Sequence, residues 1–316
     1  MIQENDKITK QQNNLSEDKI SLSKIKQALD ELKKEKIIKE ENGFYWINQL
    51  KNTKNNSFCR PQENLLKIRL ERNEIAKNKY KKALRVIKIL KCAPCVKMIA
   101  VCNSLSYNNA KIESDIDIFI ISSKNKIWTT RLLATGILKL LCLRPTPKNS
   151  KNKICASFFT SEDNLDLEKI QINKGGNFRQ NGKQAEYRPQ KDLFDIYLLY
   201  WIATLVPIYD KNETYAKLIK ANNWIKKMLP NWERYLNYKQ NNKKNKILSA
   251  SFYLIMLFIS EKFSKKIQMR IMPEHFKNMA NKDTRIIITD SMLKFHDKDR
   301  REEYYYEWLT IKNLLI

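Results

Sequence analysis

Apolar residues recur along this chain with two different periods, and the changes of period mark its elements. Leu22, Ile25, Leu29 and Leu32 fall on one helical face behind Ser21 or Ser23, either of which can cap the first turn. Ile37-Ile38 and the run Phe44-Tyr45-Trp46-Ile47 flank Asn42-Gly43, a strong short hairpin signal. Residues 63–90 read as a long basic helix, with Leu66, Leu70, Ile75, Leu84 and Ile87 at helical intervals and a drift around 73–79. Three apolar runs then read as strands, over 96–102, 115–121 and 154–160. Between the last two, Leu132, Leu133, Ile137, Leu140 and Leu141 predict a helix over 126–143, which Ser122 or Ser123 can cap and Pro145 ends. This order predicts a small α/β sheet with helices packed on one side.

Polar stretches divide the rest. Residues 1–14 read as a flexible tail, 48–62 as a linker ending at Pro61, and 161–188 as a long loop over the sheet. Beyond it the chain reads as helical, over 191–206, 213–229, 247–271 and 297–315. A charged break is expected at 241–246 and a short extended piece at 285–289. The amphipathic helix and hairpin of residues 15–60 resemble the second half of a winged helix. Only residues 15–20 are available for its first helix, so the unit serves either DNA reading or dimer and interdomain contacts. The expected organisation is tail 1–14, winged-helix-like segment 15–60, catalytic α/β domain 61–188 and helical C-terminal domain 189–316.

Charge changes this picture. Lys and Arg number 60 against 34 Asp and Glu, a net +26, which attracts nucleic acid, nucleotides or an anionic membrane surface. The same excess also follows from a composition dominated by Lys, Asn and Ile, as an AT-rich coding sequence produces. The longest strongly apolar run, about residues 247–259, is shorter than the ~20 residues a bilayer span needs. The first residues carry no secretory pattern, and a cytoplasmic protein without a membrane span is expected. Cys92-Ala-Pro-Cys95 has redox or half-metal spacing, but no second pair exists and His275 and His296 are the only histidines. Reduced thiols account for it more simply.

The chemistry concentrates at residues 101–122. Asp115 and Asp117 open an apolar strand at i and i+2, so they point to one face with Cα atoms roughly 6.5 Å apart. Two acids at the mouth of a buried strand are costly unless a cation lies between them, and Mg²⁺ held by carboxylates and substrate phosphates is the usual solution.

Asn103-Ser104 precedes Ser114-Asp115-Ile116-Asp117 across a short turn-helix segment. This ordered pattern resembles that of the polymerase-β-like nucleotidyltransferases, whose motif is an apolar strand, Gly-Ser, a short helix and Ser-Asp-x-Asp opening a second strand. The resemblance spans about residues 91–163 at domain level. It implies an α+β fold, a small mixed sheet with helices on one face, preceded by a partial winged helix and followed by a helical domain. It further implies Mg²⁺-dependent transfer of a nucleoside monophosphate from an NTP to a hydroxyl, with release of pyrophosphate. Asp115 and Asp117 would be catalytic ligands of two Mg²⁺ ions, and Asn103, Ser104 and Ser114 would contact the nucleotide. The acceptor, whether small molecule, protein or RNA, is left open. Asn103 replaces the usual Gly, a substitution that left-handed backbone tolerates. The third carboxylate of the family is absent from residues 154–160, leaving Glu162 and Asp163 as the local substitutes. The alternative is a catalytically impaired nucleotide- or nucleic-acid-binding regulator, or an antitoxin-like partner protein. Lys124, Lys126 and Arg131 either reach phosphate or form a solvated helix start. The aromatics of residues 304–308 read as core or interface, or as a stacking surface for a base.

Overall fold

The computed structural model describes residues 21–47, 65–146, 148–172, 195–230, 232, 250–251 and 259–315. The expected tail, the helix at 15–20, the linker at 48–62, the charged break at 241–246 and most of the apolar run at 247–259 lie outside these residues, as do residues 173–194 of the expected loop. The chain forms two compact units, Met1–Glu74 with Trp224–Glu233, and Ile75–Asn223 with Arg234–Ile316.

In the first unit, α1 (Leu22–Lys34) precedes a hairpin of β1 (Ile38–Glu41) and β2 (Phe44–Ile47). Ser21 caps α1, its Oγ accepting from Lys24 N at 3.3 Å. Asn42 and Gly43 both take left-handed backbone, φ 53° and 78°, as a tight two-residue hairpin turn requires. The helix and hairpin therefore match expectation. The apolar stripe of α1 does not act as a core, since Leu22 and Ile25 are exposed.

The second unit holds the main sheet. Its elements in order are the bulk of α2 (Leu65–Leu90), β3 (Val96–Val101), the single turn α3 (Asn103–Ser106), β4 (Ile116–Ser122), α4 (Ile127–Leu140), β5 (Ile154–Ser161), α5 (Ile196–Ala203), β6 (Val206–Asp210), α6 (Thr214–Ala221), α7 (Glu261–Ile271), α8 (Glu274–Met279), β7 (Ile286–Ile288), β8 (Met292–Phe295) and α9 (Arg301–Leu315). Six strands pair in the order β6-β3-β4-β5-β8-β7. Among the described strands only β4 and β5 pair in parallel, joined through α4, as a parallel pair needs a crossover. The molecule is thus α+β with a mixed sheet.

Its layering is richer than the expected single helical face. On one face Ala83, Ile87 and Leu90 of α2 and Ile127, Leu133 and Leu138 of α4 join Ile99, Ile118, Ile120 and Phe159 in one core. On the other, Trp201 of α5 packs on Phe119 and Phe158, with ring centroids 5.2 and 5.3 Å away. Tyr197 of α5 stacks on Tyr304 of α9 at 5.4 Å, so a second pair of helices belongs to that side.

Several stretches differ from the helical reading of residues 189–316. The helix expected over 191–206 ends at Ala203, and Val206–Asp210 becomes an edge strand. Pro207 explains this, because it cannot donate within a helix but fits an edge strand. The extended piece at 285–289 exists as β7, and β8 follows it unannounced. A single helix over 247–271 is excluded by Ser260, which has extended backbone (ψ 153°) and caps α7 through Phe263 N. The helix expected over 213–229 stops at Ala221, and residues 223–227 form a 3-10 turn. There the buried Asn222 amide turns to Leu165 O and Leu167 N instead. Among the described residues no helix is long and apolar enough to cross a membrane.

Helix α4 is not capped by Ser122 or Ser123. Glu261, at the start of α7, accepts from Trp128 N at 2.7 Å and from Thr129 N and Oγ1 at 3.0 and 2.6 Å. A carboxylate at a helix N-terminus satisfies free N–H groups and complements the dipole.

Candidate functional site

Asp115 directly precedes β4 and Asp117 is its second residue, so the strand's alternation turns both to one face. In the parallel ladder Asp117 stands opposite Cys155, while Phe119 stands opposite Phe158. β5 therefore carries one extra residue between these pairs, a β-bulge. Strict alternation would group Cys155 with Phe159. The bulge resets the phase and puts Cys155 beside Asp117, on the face of Phe158. Ligand atoms of Asp115, Asp117 and Cys155 lie within 4.8 Å of one another.

The cluster is electrostatically frustrated. Burial, then the neighbouring Asp115 carboxylate, pushes Asp117 up to about 7. Burial also raises Asp115, against a lowering pull from the Lys79 ammonium. Burial, then Asp117 and Asp115, pushes the Cys155 thiol well up. The nearby thiol lowers both carboxyls, which eases but does not remove the like-charge cost.

Lys79 was not among the sequence candidates. It is buried in α2, and its Nζ donates to Ile112 O at 3.2 Å and to Ser114 O. Its signal was positional: Lys79 lies between the buried Ala76 and Ala83 on the core-facing stripe, where a lysine needs a partner. This lysine also accounts for the drift in the apolar spacing at residues 73–79.

Asn103 takes left-handed backbone, φ 55°, so the position does require what Gly ordinarily supplies. Its side chain acts on Asp117, lowering that carboxyl's pKa, and its Oδ1 accepts from the Tyr197 hydroxyl at 3.1 Å. Ser104 follows in α3, half-buried, its carbonyl accepting from Asn109 N at 2.8 Å. The Ser114 hydroxyl is committed to its own turn, donating to Lys111 O at 2.9 Å.

Glu162 and Asp163 are not brought to this cluster. Glu162 N pairs with Ser122 O, at the far end of β4, about 17 Å along the strand from Asp117. Its carboxylate meets Lys97 at 3.0 Å, and Asp163 faces Lys124 at 3.8 Å. In a parallel pair the end of β5 lies with the end of β4, so neither acid can reach a cation on Asp115 and Asp117. Arg131 is also directed elsewhere, to Gln268 at 2.6 Å and over the Phe295 ring.

A pocket of about 140 Å³ has Phe158, Tyr197, Trp201, His296 and Tyr304 among its walls and Lys298 and Arg300 among its cations, and neither Asp115 nor Asp117 lines it. Two of its wall residues bond toward the cluster: the Tyr197 hydroxyl donates to Asn103 Oδ1 at 3.1 Å, and Ser157 Oγ pairs with His296 Nε2 at 3.1 Å. His296 Nδ1 is buried with no hydrogen-bond partner among the described residues. Beneath the pocket Arg301 bonds Asp195 at 3.1 Å and Asp299 at 2.8 Å, and Lys294 faces Asp299 at 3.5 Å. Of the C-terminal aromatics, Tyr305 is buried while Tyr304 opens on the pocket. Cys92 and Cys95 are buried free thiols of the core.

Comparison with family models, curated proteins and solved structures finds no match for this chain.

Proposed function

We propose that this chain transfers a nucleoside monophosphate from an NTP to a hydroxyl acceptor, with divalent metal and release of pyrophosphate. The observation that carries the reading is the pair Asp115 and Asp117, held close together on one face of a strand mouth. Its order relative to Asn103-Ser104 is that of the polymerase-β-like nucleotidyltransferases. Two carboxylates fit Mg²⁺, which takes one or two protein carboxylates together with substrate phosphates. When bound, such an ion neutralises charge on the phosphates and on the attacking and leaving oxygens.

The remaining steps belong to the chain's own groups. Asn103 favours the charged form of Asp117, and Tyr197 fixes Asn103. Tyr304 and Trp201 line the pocket with aromatic rings already packed on Tyr197 and on Phe158, and Lys298 brings positive charge to its wall for a phosphate. No third carboxylate joins Asp115 and Asp117 among the described residues, so none of these supplies a third acid as base for the acceptor hydroxyl. Such a base is typically worth ~10²–10⁴ in rate, and slow turnover is expected. The free thiols fit a reducing compartment, and we assign the protein to the cytoplasm.

One observation favours a second reading, a nucleotide-binding regulator with impaired catalysis: Cys155 stands where a carboxylate would complete the cluster. Incubation with labelled NTPs, Mg²⁺ and cell extract separates the two. Label transfer that disappears in Asp115→Asn and Asp117→Asn supports the enzyme. Transfer that survives both substitutions overturns the assignment, and NTP binding without transfer selects the regulator.

A further inference from the structure

The cluster is not built from oxygen alone. Cys155 faces Asp117 across the parallel ladder, and its sulfur lies within 4.8 Å of both carboxylates. The β5 bulge puts it there, since without the extra residue this side chain would turn to the opposite face. A thiol is a poor ligand for Mg²⁺, which takes oxygen and demands octahedral geometry, but a good one for Zn²⁺ and ions like it.

We propose that Asp115, Asp117 and Cys155 form a site for a thiophilic divalent ion of the Zn²⁺ class, in preference to Mg²⁺. The inference rests on the metal-dependent reading of this cluster and replaces its expected ion. A tetrahedral Zn²⁺ with oxygen at about 2.0 Å and sulfur at about 2.3 Å needs donors roughly 3.3–3.6 Å apart. The three donor atoms already lie within 4.8 Å of one another. Three protein ligands leave a fourth position open, the arrangement of catalytic rather than structural zinc, and a phosphate oxygen suits it. Binding displaces the thiol proton to solvent and leaves a thiolate on the ion, with no change of oxidation state. The surroundings are themselves anchored, since Tyr197 donates to Asn103 and Ser157 pairs with His296.

The test uses the purified full chain, stripped with chelator and equilibrated separately with Zn²⁺, Co²⁺ and Mg²⁺. Bound metal is counted by mass spectrometry after dialysis, and Co²⁺ is read by its thiolate charge-transfer absorption. One Co²⁺ or Zn²⁺ per chain is expected, with a thiolate band that Cys155→Ser abolishes and the exposed Cys142→Ser leaves intact. Zn²⁺ affinity should fall at least 100-fold in Cys155→Ser, while Mg²⁺ affinity changes less than about threefold. Should Cys155→Ser fold poorly, alkylation of wild-type Cys155, mapped by peptide mass spectrometry, should slow at least tenfold with Zn²⁺. A band that persists in Cys155→Ser, or Zn²⁺ that fails to protect, overturns the inference. Mg²⁺ binding lost in Asp117→Asn, without any thiolate band in the wild type, overturns the zinc preference and leaves the nucleotidyltransferase reading standing. No divalent ion bound with or without NTP overturns both.

Discussion

The Tyr197 hydroxyl donates to Asn103 Oδ1 at 3.1 Å, and the Asn103 side chain acts on Asp117, lowering its pKa. A helix on one side of the sheet thus anchors the asparagine that neighbours the acid at the strand mouth. Tyr197→Phe keeps the ring stacked on Tyr304 and removes only this hydrogen bond. The expected result is a fall of about tenfold in label transfer, with stability changed by about 1 kcal/mol. Labelled-NTP assays and denaturant titrations of the same preparation check both halves.

Removing one acid of the pair has opposite effects on activity and stability. Asp117 is raised to about 7 by burial and by Asp115, so in metal-free solution the pair costs folding energy. Asp115→Asn should therefore stabilise the chelator-treated protein, by about 0.5–1.5 kcal/mol. The same change should reduce transfer by ~10³ or more, since the phosphate charge then lacks its ion. Urea unfolding in EDTA beside the transfer assay reads the pair. Destabilisation in EDTA would show that the carboxylates are already compensated, with Lys79 as the source.

Glu261 caps α4 from another helix, through three hydrogen bonds to Trp128 and Thr129. Glu261→Ala should cost about 1–2 kcal/mol, the upper range for a lost cap, because these N–H groups are then left unpartnered in the interior. Glu261→Gln keeps one acceptor oxygen but loses the charge at the dipole, and should cost about half as much. Chemical denaturation of the two variants orders them.

Burial, then the neighbouring Lys294, depresses His296 to about 3. Between pH 6.5 and about 3 the unfolded imidazole binds a proton that the folded one refuses. Stability from this group is therefore whole above pH 6.5 and lost as pH falls through that window, by up to ~1.4 kcal/mol per pH unit. His296→Gln should flatten the wild-type decline, and thermal melts from pH 7 to pH 4 measure the difference. Equal slopes in the two proteins would remove the histidine from the account.

The sequence announces those parts whose stabilising contacts are local. Asn42-Gly43 specifies its hairpin, and the strand alternation of Asp115 and Asp117 specifies their common face. What it conceals depends on residues far apart in the chain. The Val206–Asp210 and Met292–Phe295 strands are short and carry a proline and a buried lysine, features that argue against strands until their neighbours are known. Lys294 is admissible in β8 because Thr284 O and Asp299 receive it. The bulge that turns Cys155 toward the acids exists only in the pairing of β4 with β5. Glu162 and Asp163 looked like substitutes for the third acid because sequence distance hides which end of a strand faces the site. Glu261 as a cap is likewise invisible locally, 132 residues from Thr129.

The position of β8 in the sheet also has a consequence during synthesis. β5 is bounded on its outer side by β8, and Thr160 meets its partner Ser291 across 131 residues of chain. At ~5–20 residues per second, translation leaves that flank of β5 without its neighbour for roughly 7–26 s. Throughout this interval the nascent sheet offers an unpaired edge bearing Phe158 and Phe159, a template for pairing with other chains. Slower growth temperatures or a ribosome-associated holdase should accordingly raise soluble yield, and fragments ending before residue 292 should precipitate.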